Sequence, residues 1–191
     1  MLVTDDEAIY REALVYRDQG KERFDSNRHV RLGYNWRMSE VHAVIGLAQV
    51  RRLPEFIAHR RRIAAVYDRE LADLAPHLVP VREPEGARSN YYKYICWLRG
   101  LPRDLLKERL RESYGVALSG EVYELPCHRQ PCFAPWDPGP LPVAEDICAS
   151  HICLPVSARM TEEDAAYVCW ALRQATAKLL AEGHGGEEPC A

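Results

Sequence analysis

The run Gly33-Tyr34-Asn35-Trp36-Arg37-Met38 places an amide and a guanidinium two residues apart, just before an apolar stretch. Both groups bind oxyanions. Asn35 can donate to a phosphate oxygen without adding charge, or it can simply close the turn, because asparagine tolerates left-handed backbone. Arg37 can meet a phosphate or carboxylate through its planar fork, or brace the start of the next helix against an acidic neighbour. Tyr34 can line the same site or serve only in packing.

Amine and thiol chemistry have fewer supports. The chain holds four lysines, Lys21, Lys93, Lys107 and Lys178. Lys21 follows the first helix, Lys93 falls in a strand-like stretch, and the other two lie on amphipathic helices, where lysine is ordinarily solvated. Cys127, His128 and Cys132, with Cys148, His151 and Cys153 downstream, are soft metal ligands. Their spacings match no compact finger or ribbon, so no metal ligand is assigned and a zinc-binding module ranks below the readings that follow. Arg60-Arg61-Arg62 shares its helix with Asp68, Glu70 and Asp73 and has no aromatic platform beside it. It reads as a solvated helix face, and no nucleic-acid partner is expected.

These groups must be positioned by a mixture of helices and strands. Residues 1–4 have strand character, and a chain that starts inside so short a strand is expected to continue upstream, since an isolated strand leaves its backbone unpaired. Thr4 followed by Glu7 predicts a capping box for a helix reaching about Gln19, with Gly20 past its end. Residues 21–31 are polar and predict a loop. Residues 38–52 form a helix with almost no polar face, a pattern expected of a helix covered all round. Leu53-Pro54 predicts a break, with Pro54 in the first turn of a second helix that places Phe56, Ile63, Tyr67, Leu71 and Leu74 at helical spacing.

Further on, residues 78–81, 91–98 and 116–123 predict strands, and residues 102–113 a helix closed by Gly115. The proline-rich stretch 125–142 predicts an ordered irregular loop and 143–150 a short helix. Thr161 and Asp164 cap a last helix whose Ala165, Val168, Leu172, Ala175 and Leu179 form a stripe expected to pack on the sheet.

Composition agrees with a folded chain. With 191 residues, 47% hydrophobic and 28% charged, it suffices for one good core or two small ones. A net charge of −3 and a pI near 6.2 give no basic field for nucleic acid or anionic membrane. No apolar run approaches the length of a bilayer span, the first residues are not those of a secretory signal, and the seven scattered cysteines form no C-x-x-C pair. A cytoplasmic location with reduced thiols is expected.

Residues 32–53, LGYNWRMSEVHAVIGLAQVRRL, resemble the stretch after the cofactor-lysine loop in aminotransferases of the DegT/DnrJ/EryC1/StrS family. LSGEVYELPCHRQPCF and HICLPVSARMTEED resemble later landmarks of that family in the same order, and MLVTDDE is similar to its strand after the lysine loop. The resemblance implies an α/β fold, the C-terminal part of a fold-type-I transferase dependent on pyridoxal 5'-phosphate. Residues 1–53 would be a remnant of the cofactor-binding large domain and residues 54–183 the small α/β domain, followed by a disordered tail at 184–191.

It also implies that Asn35 reaches across a homodimer interface to the cofactor phosphate of the other subunit, with Arg37 and Tyr34 near the substrate. His128 resembles the histidine that follows a proline in the family's substrate loop and would face a sugar hydroxyl. The family's phosphate turn, its aspartate for the pyridinium nitrogen and its Schiff-base lysine belong to an N-terminal half that is not in this sequence, and none of the four lysines stands at the family position. The implied reading is a C-terminal piece of an aminotransferase that uses an amino-acid donor and a nucleotide-linked keto sugar or related cyclitol. Such a piece would have no catalytic residue of its own, would be inactive alone, and would be completed by a second copy or by the missing half. The alternative is a non-catalytic dimerisation or ligand-binding module of the same fold.

Overall fold

A computed structural model of the chain describes residues 2–118 and 120–184. The predicted tail therefore lies outside the described residues apart from His184. Two compact units divide the chain, Met1–Leu53 and Pro54–Ala191. Among the described residues no helix is long and apolar enough to cross a membrane.

The first unit contains α1 (Glu7–Arg17) and the beginning of α2 (Glu40–Glu70). Residues 2–4 are not a strand, and Leu2 and Val3 are exposed. The cap of α1 also differs from expectation. Asp6 is the N-cap, its Oδ1 accepting from the amides of Ala8 at 2.8 Å and Ile9 at 3.2 Å, while Thr4 Oγ1 takes only the Asp6 amide. Aspartate caps at least as well as threonine and stands one residue before the first helical turn. Residues 21–31 form an irregular loop with one isolated bridge, Lys21 to His29.

The expected break at Pro54 does not occur, because α2 runs through it. The ladder loses only the bond that the Pro54 amide would give to the Val50 carbonyl, and helix formers on both sides carry it on. The apolar first half of α2 is uncovered within this chain: Val41 is 69% and Val50 64% exposed. Its buried residues, Ile63, Ala64, Val66 and Tyr67, all belong to the second unit.

In that unit β1 (Leu78–Pro80), β2 (Tyr94–Leu98) and β3 (His151–Leu154) make an antiparallel sheet in the order β1-β2-β3. The register sets Leu78 against Leu98 and Tyr94 against Leu154. Residues 116–118 and 120–123 are not the predicted strand. The edge of β2 is taken by β3, and the Val122 amide donates to the ring of His151 at 3.1 Å instead of joining a ladder. The proline-rich loop is ordered by two short 3₁₀ turns, Cys127–Arg129 and Pro131–Trp136.

Helix α3 (Arg103–Tyr114) ends at Gly115, whose φ of 65° allows the left-handed cap. Helix α4 (Pro142–Ser150) leads straight into β3. The predicted capping box opens α5 (Glu162–Ala181), with Thr161 and Asp164 each accepting the other's amide. The whole stripe Ala165, Val168, Leu172, Ala175 and Leu179 is buried in one cluster with Ile63, Tyr67 and the inward residues of the sheet.

Candidate functional site

At its C-terminal end α1 turns back on itself. The Asp18 amide is shared between the carbonyls of Leu14 and Val15, and the Gly20 amide reaches the Val15 carbonyl at 2.9 Å. The chain then returns beside this turn as an extended segment. Tyr34 donates to the Tyr16 carbonyl at 2.8 Å, Gln19 to the Tyr34 carbonyl at 2.8 Å and Trp36 to the Arg17 carbonyl at 3.0 Å, with Asp18 opposite Asn35 in an antiparallel bridge.

Two glycines permit this approach. A Cβ on Gly33 would lie 2.1 Å from the Gly20 nitrogen, and one on Gly20, whose φ is +78°, would lie 1.8 Å from the Arg31 carbonyl oxygen. Backbone cannot yield at such distances, so glycine is required at both positions.

Alternation along an extended chain gives the segment two faces. Tyr34 and Trp36 share one, their rings stacked at 4.6 Å and 6°. With Leu2, Ile9 and Tyr16 they line an open, mainly apolar groove of about 950 Å³. Asn35 and Arg37 belong to the other face, together with Asp18, the cross-strand partner of Asn35. Arg37 Nη1 donates to Asp18 Oδ1. Asp18 is 6% exposed, and its Oδ2 has no partner among the described residues. Asn35 is exposed, and its side chain makes no hydrogen bond among the described residues. The structure thus brings Asn35 and Arg37 together, gives Arg37 an acidic partner, and turns Tyr34 the other way.

His128 belongs to the second unit. Its Nε2 donates to Glu145 Oε1 at 2.8 Å, and the same oxygen accepts from Arg129 Nε at 3.0 Å and from the Leu141 amide at 3.2 Å. Arg129 also reaches Asp137 at 3.2 Å. The His128 hydrogen bond first, then the Leu141 amide and Arg129, hold the Glu145 carboxyl down at about 2. The ring is therefore committed to the first turn of α4, and its side chain is 7% exposed.

Three of the lysine amines are occupied. Lys107 Nζ binds Glu121 Oε1 at 2.6 Å. Burial would raise the Glu121 carboxyl, but that bond and the charges of Lys107 and Arg103 outweigh it and lower it. Lys93 Nζ donates to the Gly120 carbonyl at 2.5 Å, and Lys178 lies 5.4 Å from the Tyr114 ring centre. Lys21 follows the α1 turn and lines a cavity of about 360 Å³ beside Arg17 and Asp18. Of the soft ligands, His151 uses both ring nitrogens internally, Nδ1 at 2.6 Å from the Ile147 carbonyl and Nε2 on Val122. Among the described residues no group of three or more His, Cys, Asp or Glu side chains is gathered as a metal site.

Sequence reasoning did not single out Asp18, Glu145 or Glu121. Asp18 carried one readable signal, since a carboxylate at a helix C-terminus opposes the helix dipole and must have another reason to be there. Glu145 in the first turn of α4 agrees with the dipole and gave none.

Residues 1–173 match the model of the DegT/DnrJ/EryC1/StrS aminotransferase family. The chain is 35% identical over 121 residues to a dTDP-4-dehydro-2,3,6-trideoxy-D-glucose 4-aminotransferase of Saccharopolyspora spinosa, covering 62% of this chain and 29% of that protein. It is 27% identical over 182 residues to the GDP-perosamine synthase of Escherichia coli O157:H7, covering 91% and 46%. Among solved structures it is similar to the aminotransferase TlmJ from Streptoalloteichus hindustanus, with a TM-score of 0.78, 28% identity and 92% and 47% coverage. It shares its fold with Helicobacter pylori PseC at a TM-score of 0.77, 22% identity and 92% and 48% coverage. The chain spans less than half the length of each of these proteins and aligns to the C-terminal half of the relatives. With the family model matched over residues 1–173, the chain belongs to the DegT/DnrJ/EryC1/StrS aminotransferase family.

Proposed function

We propose that this chain is the C-terminal part of a pyridoxal-phosphate-dependent sugar aminotransferase, that it contributes a phosphate contact through Asn35, and that it does not itself hold the cofactor covalently. The complete activity would move an amino group from an amino acid to a nucleotide-linked keto sugar or related cyclitol; the names of the relatives support the nucleotide-sugar part of that reading. When bound, pyridoxal 5'-phosphate supplies an aldehyde that carries the amino group and a ring that withdraws electrons. A homodimer, or the missing N-terminal half, would bring the remaining walls of the pocket.

The observation that carries this reading is the exposed Asn35 amide, fixed by backbone pairing beside the end of α1 and free of partners among the described residues. Such a donor fits the phosphate end of the cofactor. The amines do not fit its covalent end as well, since Lys93, Lys107 and Lys178 are each engaged elsewhere. The test is equilibrium binding of pyridoxal 5'-phosphate and of pyridoxal, which lacks the phosphate, to the wild-type chain and to Asn35→Ala. The expected result is a preference for the phosphorylated form in the wild type that falls roughly tenfold in Asn35→Ala, the scale of one hydrogen bond to a charged group. An equal preference in both proteins would remove Asn35 from the site.

A further inference from the structure

We infer that Asp18 is a positioning residue: it anchors one edge of the Arg37 guanidinium so that the other edge is presented, beside the Asn35 amide, to an oxyanion. The inference rests on the phosphate-contact reading above and adds a residue to it. Asp18 and Asn35 are cross-strand partners in the bridge, and Arg37 is two residues beyond Asn35, so the three side chains share one face. A guanidinium has five N–H donors in a rigid fork. Nη1 is spent on Asp18 Oδ1, yet the Arg37 side chain stays 39% exposed, which leaves donors open.

The anchor itself is fixed. Asp18 is more than nine-tenths buried, and its amide is tied to the last turn of α1. Its position at a helix C-terminus and the unpartnered Oδ2 both count against a carboxylate whose purpose is to stabilise the helix. The pairing with Arg37 is what the carboxylate gains there. An arginine already held at one edge loses less rotamer freedom on meeting an anion than a free one does.

The test uses the ¹⁵N-labelled chain titrated with inorganic phosphate, following the Asn35 side-chain amide and the Arg37 Nε–H by NMR. The wild type is expected to show saturable shifts at both. Asp18→Ala should weaken phosphate roughly two- to tenfold, the scale of one unfixed side chain, although it removes a negative charge. Asp18→Asn, whose Oδ1 still accepts from Arg37, should bind at least as well as the wild type, and Arg37→Ala should lose at least as much as Asp18→Ala. Gln19 and Trp36 amide shifts report whether the turn is intact. If Asp18→Ala disturbs them, Asp18→Glu takes its place, since it keeps the charge, displaces the anchor and should weaken phosphate over the same range.

Unchanged or tighter binding in Asp18→Ala, or in Asp18→Glu where that stands in, would mean that Asp18 is idle or competes with the anion, and would overturn the inference. Asp18→Asn as weak as Asp18→Ala would overturn it too. No phosphate-dependent shift at Asn35 in the wild type would bring down the phosphate reading and this inference together. Wild-type binding that ignores Asp18 would remove only the latter.

Discussion

Ile63 and Val44 are aliphatic residues of the same helix, but Ile63 is fully buried and Val44 is 68% exposed. The difference marks two ways of fixing structure. In Pro54–Ala191, α2, α5 and the sheet pool their apolar side chains into one cluster. In Met1–Leu53, among the described residues, no hydrophobic side chain is buried; the ordered feature is the glycine-tight pairing of the α1 turn with residues 34–36 and the Asp18–Arg37 pair. The face carrying Asn35 is thus positioned by backbone geometry and charge, whereas the second unit is positioned by burial. Mutations should therefore separate the two.

The largest effect is expected from Leu172→Ala, which empties a fully buried site in the cluster. It should cost about 2–5 kcal/mol in denaturant unfolding of the second unit and leave the Asn35 amide signal unchanged. Next comes Gly33→Ala. Its Cβ meets the Gly20 backbone at 2.1 Å, so the turn should lose more than about 1 kcal/mol. Hydrogen exchange should then show lost protection at Gln19 and Trp36 and none at β2; protection unchanged at both would mean the turn is not set by backbone contact.

A smaller, pH-dependent effect is expected at Glu145. Its carboxyl is lowered from 4.5 to about 2 in the folded chain, so its stabilisation is present above pH 4.5 and is lost as the pH falls toward 2. Melting temperatures taken across that interval should fall less in Glu145→Gln than in the wild type, and His128→Ala should flatten the slope in the same direction. The smallest effect belongs to Val41→Lys with Val44→Lys. Both positions are exposed, so each should change unfolding by no more than about 0.5 kcal/mol. A loss on the scale of Leu172→Ala would show that the first half of α2 is buried after all, and would erase the contrast.

What could be read from residues alone follows from the range of each interaction. The α5 stripe and its Thr161–Asp164 box are local patterns, and both are found as expected. β3 was missed because His151–Leu154 is buried at every position and has no alternation to betray it. The helix break expected at Pro54 does not form, since a proline removes one bond without ending a helix whose flanks are strong. At the site, the tight turn at Gly33 and the two-residue spacing of Asn35 and Arg37 were legible, but not the face they occupy. Asp18 was not, because its contact depends on the register of the returning chain, and His128 meets Glu145 only after the proline-rich loop has folded back on α4.

The proposed division of roles is that Asn35 meets the phosphate while none of the four lysines of this chain takes the cofactor aldehyde. Its most direct test is borohydride reduction of the purified chain in pyridoxal 5'-phosphate, followed by peptide mass mapping of the lysines. The expected result is no stoichiometric pyridoxyl label at any single lysine. A full label confined to one residue, Lys21 included, would contradict it.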